Sequence, residues 1–115
     1  MNSRDRDLII HIRRYCSEID EAVLRFGDDE HTFMADAVYR NAVSMPVQQI
    51  GELAKHLSDE FLEAYPEIPW KQIKGMRTWF AHQYLSMDKE IIWEVLHSGI
   101  PQLKSFCDSL SLASS

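Results

Sequence analysis

At 115 residues with a formal net charge of −6, the chain is the size of one folding core, and residues 1–115 are expected to form a single helical domain. Apolar residues at 45% and charged residues at 26% give the balance of a globular protein, which excludes extended disorder. The acidic surplus excludes broad electrostatic binding to nucleic acid over the whole surface, because that affinity comes from clustered Lys and Arg. The longest uncharged run, Asn41 to Gly51, falls far short of the ~20 residues a membrane helix needs. The mixed-charge start, with no apolar segment behind it, does not read as a secretory signal, so a cytoplasmic protein is expected.

The first predicted element is the clearest. Leu8, Ile12, Tyr15, Ile19, Val23 and Phe26 recur at spacings of three and four and line one face of a helix that Gly27 stops. Asp28 and Asp29 follow as candidate caps for the next helix. A second apolar series runs through Phe33, Ala37, Val38, Ala42 and Met45, and after Pro46 through Ile50, Leu53, Ala54 and Leu57. A proline lacks the amide donor and crowds the preceding turn, so Pro46 predicts a kink or a division of this helix.

Ser58 to Pro69 reads as a helical turn followed by a loop, and Pro69 suits the start of a third helix bearing Ile73, Met76, Phe80 and Tyr84 on one face. A fourth is expected from Asp88 to Gly99, and a last one from Pro101 through Leu103, Phe106 and Leu110. No stretch alternates with period two. The predicted fold is all-α, a compact bundle of four to five helices. Cys16 and Cys107, far apart and without CxxC spacing, read as packed, reduced thiols.

One segment departs from the acidic background. Between Ile68 and Met87 there is no Asp or Glu, while Lys71, Lys74 and Arg77 are interleaved with Trp70 and Trp79. Lys71, Lys74 and Trp79 are therefore the candidate RNA contacts, and the chemistry would fall to Arg77 and His82, with Thr78 in support. Histidine titrates near neutral pH and can exchange a proton with a ribose 2′-hydroxyl or a leaving oxygen. Arginine can hold the phosphate and stabilise the charge of the transition state. Together they can cleave RNA without metal. Five residues apart, Arg77 and His82 stand about 140° from each other around an ideal helix, so joining them at one phosphate needs a helix end, a bend or a second subunit. The alternative is that Arg77 pairs with a carboxylate on a neighbouring helix and His82 caps a helix end. A metal-dependent bundle would rest on Glu94-x-x-His97 alone, where a di-iron site needs two such motifs and two more Glu. No metal or other cofactor is expected.

The stretch Ile68-Pro69-Trp70-Lys71-Gln72-Ile73-Lys74-Gly75-Met76-Arg77, followed by His82-Gln83-Tyr84, resembles the signature of HepT-like toxins, the compact branch of the HEPN-domain ribonucleases. Gln49-Ile50-Gly51-Glu52-Leu53, Trp93 and Ile100-Pro101-Gln102-Leu103 extend the resemblance over nearly the whole chain. It implies a homodimer in which Arg and His of two subunits meet in a cleft, and a metal-independent endoribonuclease. It also implies a minimal nucleotidyltransferase antitoxin as partner, in a hetero-oligomer larger than the dimer, which adds AMP to the motif tyrosine, here Tyr84. The family favours Asn after the arginine and this chain has Thr78, whose hydroxyl is shorter and lacks the two-donor amide. That departure keeps a second expectation open, a noncatalytic helical module that binds a nucleotidyltransferase.

Overall fold

The computed structural model describes residues 1–83 and 93–110, with the side chains of residues 78–83 outside the description. Six helices and no strand are found among the described residues, so the fold is all-α as expected. Helix α1, Ser3–Phe26, starts where the Asn2 side chain accepts the Asp5 amide at 2.7 Å, and it buries the stripe Ile9, Ile12, Cys16 and Ile19. Leu8, Tyr15, Val23 and Phe26 flank that stripe half-buried. It ends at Gly27, whose φ of +116° is a conformation that residues with a side chain rarely adopt. The Gly27 amide returns to the Val23 carbonyl at 2.8 Å, and its carbonyl accepts the Tyr39 hydroxyl at 3.0 Å.

Asp29 caps α2, Glu30–Ala35, by accepting the Thr32 amide and hydroxyl, both at 2.8 Å. Asp36 then caps α3, Ala37–Lys55, through the amides of Val38 and Tyr39. This break corrects the second apolar series. Since the chain leaves helical geometry at Asp36, Phe33 and Met45 do not share a continuous face: Val38 is 65% and Met45 52% exposed, and the buried face of α3 is Tyr39, Val43, Val47, Ile50 and Ala54. Arg40 reaches back to the carbonyls of Phe33 and Met34 at 3.0 and 2.6 Å and closes the end of α2.

Pro46 neither divides nor ends α3, which runs through it. The ring is buried with the core face of the helix, and in a helix held mainly by tertiary packing that burial offsets one missing ladder bond. Beyond Lys55, Ser58 caps the short α4, Asp59–Ala64, and donates its hydroxyl to Asp5 at 2.6 Å. Asp5 also accepts the Ser58 amide at 2.9 Å and is itself almost wholly buried. The start of α1 is thus tied to the start of α4 by a carboxylate whose two oxygens are both used.

Helix α5, Trp70–Gln83, opens where the Pro69 carbonyl accepts the Ile73 amide. Trp70 turns into the core, its indole N–H on the Tyr65 carbonyl at 3.0 Å and its ring against Phe61 and Phe106. The expected helix from Asp88 lies outside the described residues up to Trp93, which is buried against Phe33. Gly99 does not end it. A π-helical turn, Val95–Gly99, passes directly into α6, Ile100–Ser109. Pro101 has no amide to give, and the Ile100 amide reaches back to Val95 instead, so the widened turn absorbs the proline without leaving the helix. Helix α1 packs on α3 and α6, and α3 on α5. Cys16 of α1 and Cys107 of α6 are free thiols, fully buried. Among the described residues no helix is long and apolar enough to cross a membrane.

Candidate functional site

Helices α3 and α5 meet at Gly51. A Cβ at that position would lie 2.7 Å from the Arg77 amide nitrogen and 2.9 Å from the Ile73 carbonyl oxygen. Glycine in a helix interior costs ~0.5–1 kcal/mol against alanine, and here the missing side chain lets two backbones touch. One residue on, Glu52 is carried past the crossing to the side of Arg77, whose Nη1 donates to Glu52 Oε2 at 2.8 Å. One turn further along α3, His56 Nε2 lies 3.4 Å from the other carboxylate oxygen, Oε1. The hydrogen bond from Arg77 is the main reason the Glu52 carboxyl is held below the usual carboxylate range, with His56 adding to it.

The three side chains are open to solvent, Arg77 at 45% and Glu52 at 38%. The pairing of Arg77 with a carboxylate on a neighbouring helix, one of the two sequence expectations, is therefore present, but at the surface, where a ligand can reach the guanidinium. Glu52 meets it through a single nitrogen, which leaves the rest of the planar fork for an anion.

Arg77 and His82 both lie inside α5, which is unbroken from Trp70 to Gln83. The helix does not end between them, and the stretch beyond Gln83, where an end or a bend near His82 would fall, lies outside the described residues. By backbone register, Lys71, Lys74, Thr78 and His82 follow one another at spacings of three and four, a stripe along one face of α5 with Arg77 at its border. Lys71 is exposed and Lys74 half-buried. The side chains of Thr78, Trp79 and His82, and all of Tyr84, lie outside the described residues.

Around from Arg77, an apolar groove of about 450 Å³ separates α5 from α6, lined by Ile73, Met76, Ile100 and Leu103 among others. His97 is engaged elsewhere: its Nδ1 is 3.0 Å from Asp28 and its ring stacks on Trp93. Among the described residues no group of three or more His, Cys, Asp and Glu is gathered as a metal site would be.

Residue-level reading did not single out Gly51, Glu52 and His56 as parts of this site. The available signal was a glycine in mid-helix followed by an acid, the pattern of a close helix crossing with a charge at its edge.

The family description "Ribonuclease HepT-like" matches residues 12–110. A protein of Caldanaerobacter subterraneus subsp. tengcongensis named "Putative RNase" is 34% identical over 99 residues, 86% of this chain and 87% of the relative. "Probable ribonuclease HepT" of Thermococcus cleftensis is 32% identical over 78 residues, 68% of this chain and 71% of that one. A Methanocaldococcus jannaschii protein with an RNase name of the first kind is 31% identical over 100 residues and covers 86% of each chain. No solved structure matches the chain significantly.

Proposed function

The chain belongs to the HepT-like ribonuclease family, and from that premise we propose that it is the toxin of a toxin–antitoxin pair, a metal-independent endoribonuclease acting as a homodimer in the cytoplasm. The observation that carries this reading is Arg77, fixed at the α3–α5 crossing yet half-open to solvent, at the border of a face of α5 that holds Lys71, Lys74 and the His82 position. Lys71, Lys74 and Trp79 hold the RNA strand.

His82 takes the proton of the ribose 2′-hydroxyl, O2′ bonds to phosphorus, and the P–O5′ bond breaks. The 5′-oxygen leaves with a proton from the His82 of the second copy. A 2′,3′-cyclic phosphate and a 5′-hydroxyl are left. Arg77 binds the non-bridging oxygens as charge builds on them, and Thr78 supports it through its hydroxyl. No cofactor takes part. A minimal nucleotidyltransferase antitoxin silences the site by adding AMP to Tyr84, where bulk and negative charge repel the incoming phosphates.

Purified protein incubated with RNA in EDTA tests this. Cleavage that disappears with His82→Ala supports the catalytic reading; intact RNA with the wild type, together with growth arrest that persists in His82→Ala, sinks it. The ion pair between Arg77 and Glu52 favours a second reading, a noncatalytic module that binds the nucleotidyltransferase. Under it, Arg77→Ala and His82→Ala leave partner binding and cellular phenotype unchanged.

A further inference from the structure

The contact between Arg77 and Glu52 has two physical readings. As a stabilising ion pair it is weak, since exposed pairs are screened by solvent and contribute little to folding. As a geometric restraint it still matters, because even a weak contact biases the guanidinium toward one orientation. An arginine side chain has several rotatable bonds, and ordering them at the moment of phosphate binding costs entropy that a pre-formed contact removes.

Three features point the same way. Gly51 brings α3 against the backbone of Arg77, so the base of the side chain is fixed. Glu52 Oε2 takes one guanidinium nitrogen at 2.8 Å, so its tip is fixed as well. The second oxygen of Glu52 is 3.4 Å from His56 Nε2, four residues along α3, so the carboxylate is itself braced.

We propose that Glu52 is a positioning residue: it holds the Arg77 guanidinium by one nitrogen so that the remaining edge of the fork faces the scissile phosphate. The proposal rests on the ribonuclease reading above and adds to it a residue on a different helix.

A positioning role separates turnover from binding. Glu52→Gln keeps the size of the side chain and removes a negative charge close to the RNA phosphates. KM for a short RNA stays level or falls, because repulsion is relieved. The turnover number kcat falls ~10- to 100-fold, the range that misplacement of a binding group by about an ångström produces. The helical circular dichroism and melting temperature stay those of the wild type. In an Arg77→Lys background, which has no fork to orient, Glu52→Gln costs nothing more. A kcat unchanged or raised by Glu52→Gln overturns the proposal. So does an equal loss in both backgrounds, which would assign Glu52 a task independent of Arg77.

A second measurement does not depend on catalysis. The side-chain nitrogen resonances of Arg77, identified by their loss in Arg77→Lys, report an ordered guanidinium in the wild type and a freely rotating one in Glu52→Ala, which removes the acceptor altogether. Identical spectra overturn the proposal whatever the rates. A wild type that cuts no RNA defeats the ribonuclease reading instead, and the arginine spectrum then decides the placement of Arg77 by itself.

Discussion

Gly51 and Arg77 approach so closely that a methyl group on the glycine would stand 2.7 Å from the arginine's backbone nitrogen. The atoms that bound this gap, the Arg77 nitrogen and the Ile73 carbonyl oxygen, belong to the α5 backbone. Neither can rotate aside as a side-chain tip would. The depth of the crossing, and with it the placement of Arg77 beside Glu52, is set by the absence of one carbon atom.

Gly51→Ala is expected to push α3 and α5 apart and to destabilise the fold by about 1–3 kcal/mol, the range for overpacking, less what alanine gains in a helix. Gly75→Ala, also within α5 but with nothing within 4 Å of its Cβ position, is expected to stabilise by about 0.5–1 kcal/mol. Urea unfolding of both variants checks the pair. Equal midpoints for the two would contradict the close crossing.

Removing the imidazole in His82→Ala should lower RNA cleavage ~100- to 10,000-fold, the usual contribution of a positioned acid or base. DNA of the same sequence should remain intact with the wild type, for want of the 2′-hydroxyl. Gel analysis of a labelled oligonucleotide in EDTA measures both, and DNA cleavage at a similar rate would exclude the proposed route.

Asp5 is almost wholly buried and accepts both the amide and the hydroxyl of Ser58. Asp5→Ala leaves those two donors without their acceptor and should cost about 1–3 kcal/mol, the penalty of an unsatisfied buried group. Thermal melting would show the loss. A midpoint equal to that of the wild type would mean that water replaces the carboxylate in full.

The Asp29 carboxyl is held below its ordinary value, first by the Thr32 amide and then by the Thr32 hydroxyl. A carboxyl lowered in the folded state adds stability above its unfolded pKa of 3.8 and loses it as pH falls through the folded value. Asp29→Ala should therefore melt below the wild type at pH 7, and the gap should close in acid. A gap that is constant from pH 7 to pH 2 would show that the charge on Asp29 is immaterial.

Burial pushes the Cys16 and Cys107 thiols far up, Cys107 to about 12, with the nearby charge of Asp108 adding to its shift and Cys107 adding to that of Cys16. The thiolate is the reactive form, so iodoacetamide at pH 8 should leave the folded protein unmodified and alkylate both thiols in urea. Intact-mass measurement counts the adducts, and rapid labelling without denaturant would place a thiol at the surface.

Legibility followed the reach of each signal. The stripe of α1 and the stop at Gly27 depend on local periodicity and local dihedrals, and both were readable. The first half of α3 was not, because Asp36 resets the helix and leaves Val38 and Met45 exposed, whereas Ile50, Leu53, Ala54 and Leu57 beyond Pro46 pack inward as their spacing predicts. Of the two effects expected of Pro46, division of the helix does not occur: sequence shows the lost hydrogen bond and hides the burial that offsets it. At the site, Arg77 stood out through an acid-free segment on its own helix. Glu52 comes from 25 positions earlier, a separation that no helical period connects. Trp70 belongs to the same segment yet faces the core, since an aromatic beside lysines suits either side of a helix.

The crossing at Gly51 also dictates where the chain can change length. Each residue added to or removed from α3 turns everything downstream by about 100°. A deletion between the Asp36 cap and Gly51 would bring Glu52 into a space that has no room for a side chain. The same step would carry Val43, Val47 or their successors out of the core, so packing and chemistry would fail together. The connections around Asp28 and Glu67 carry no such phase. In this sense α3 behaves as a ruler that must keep its count.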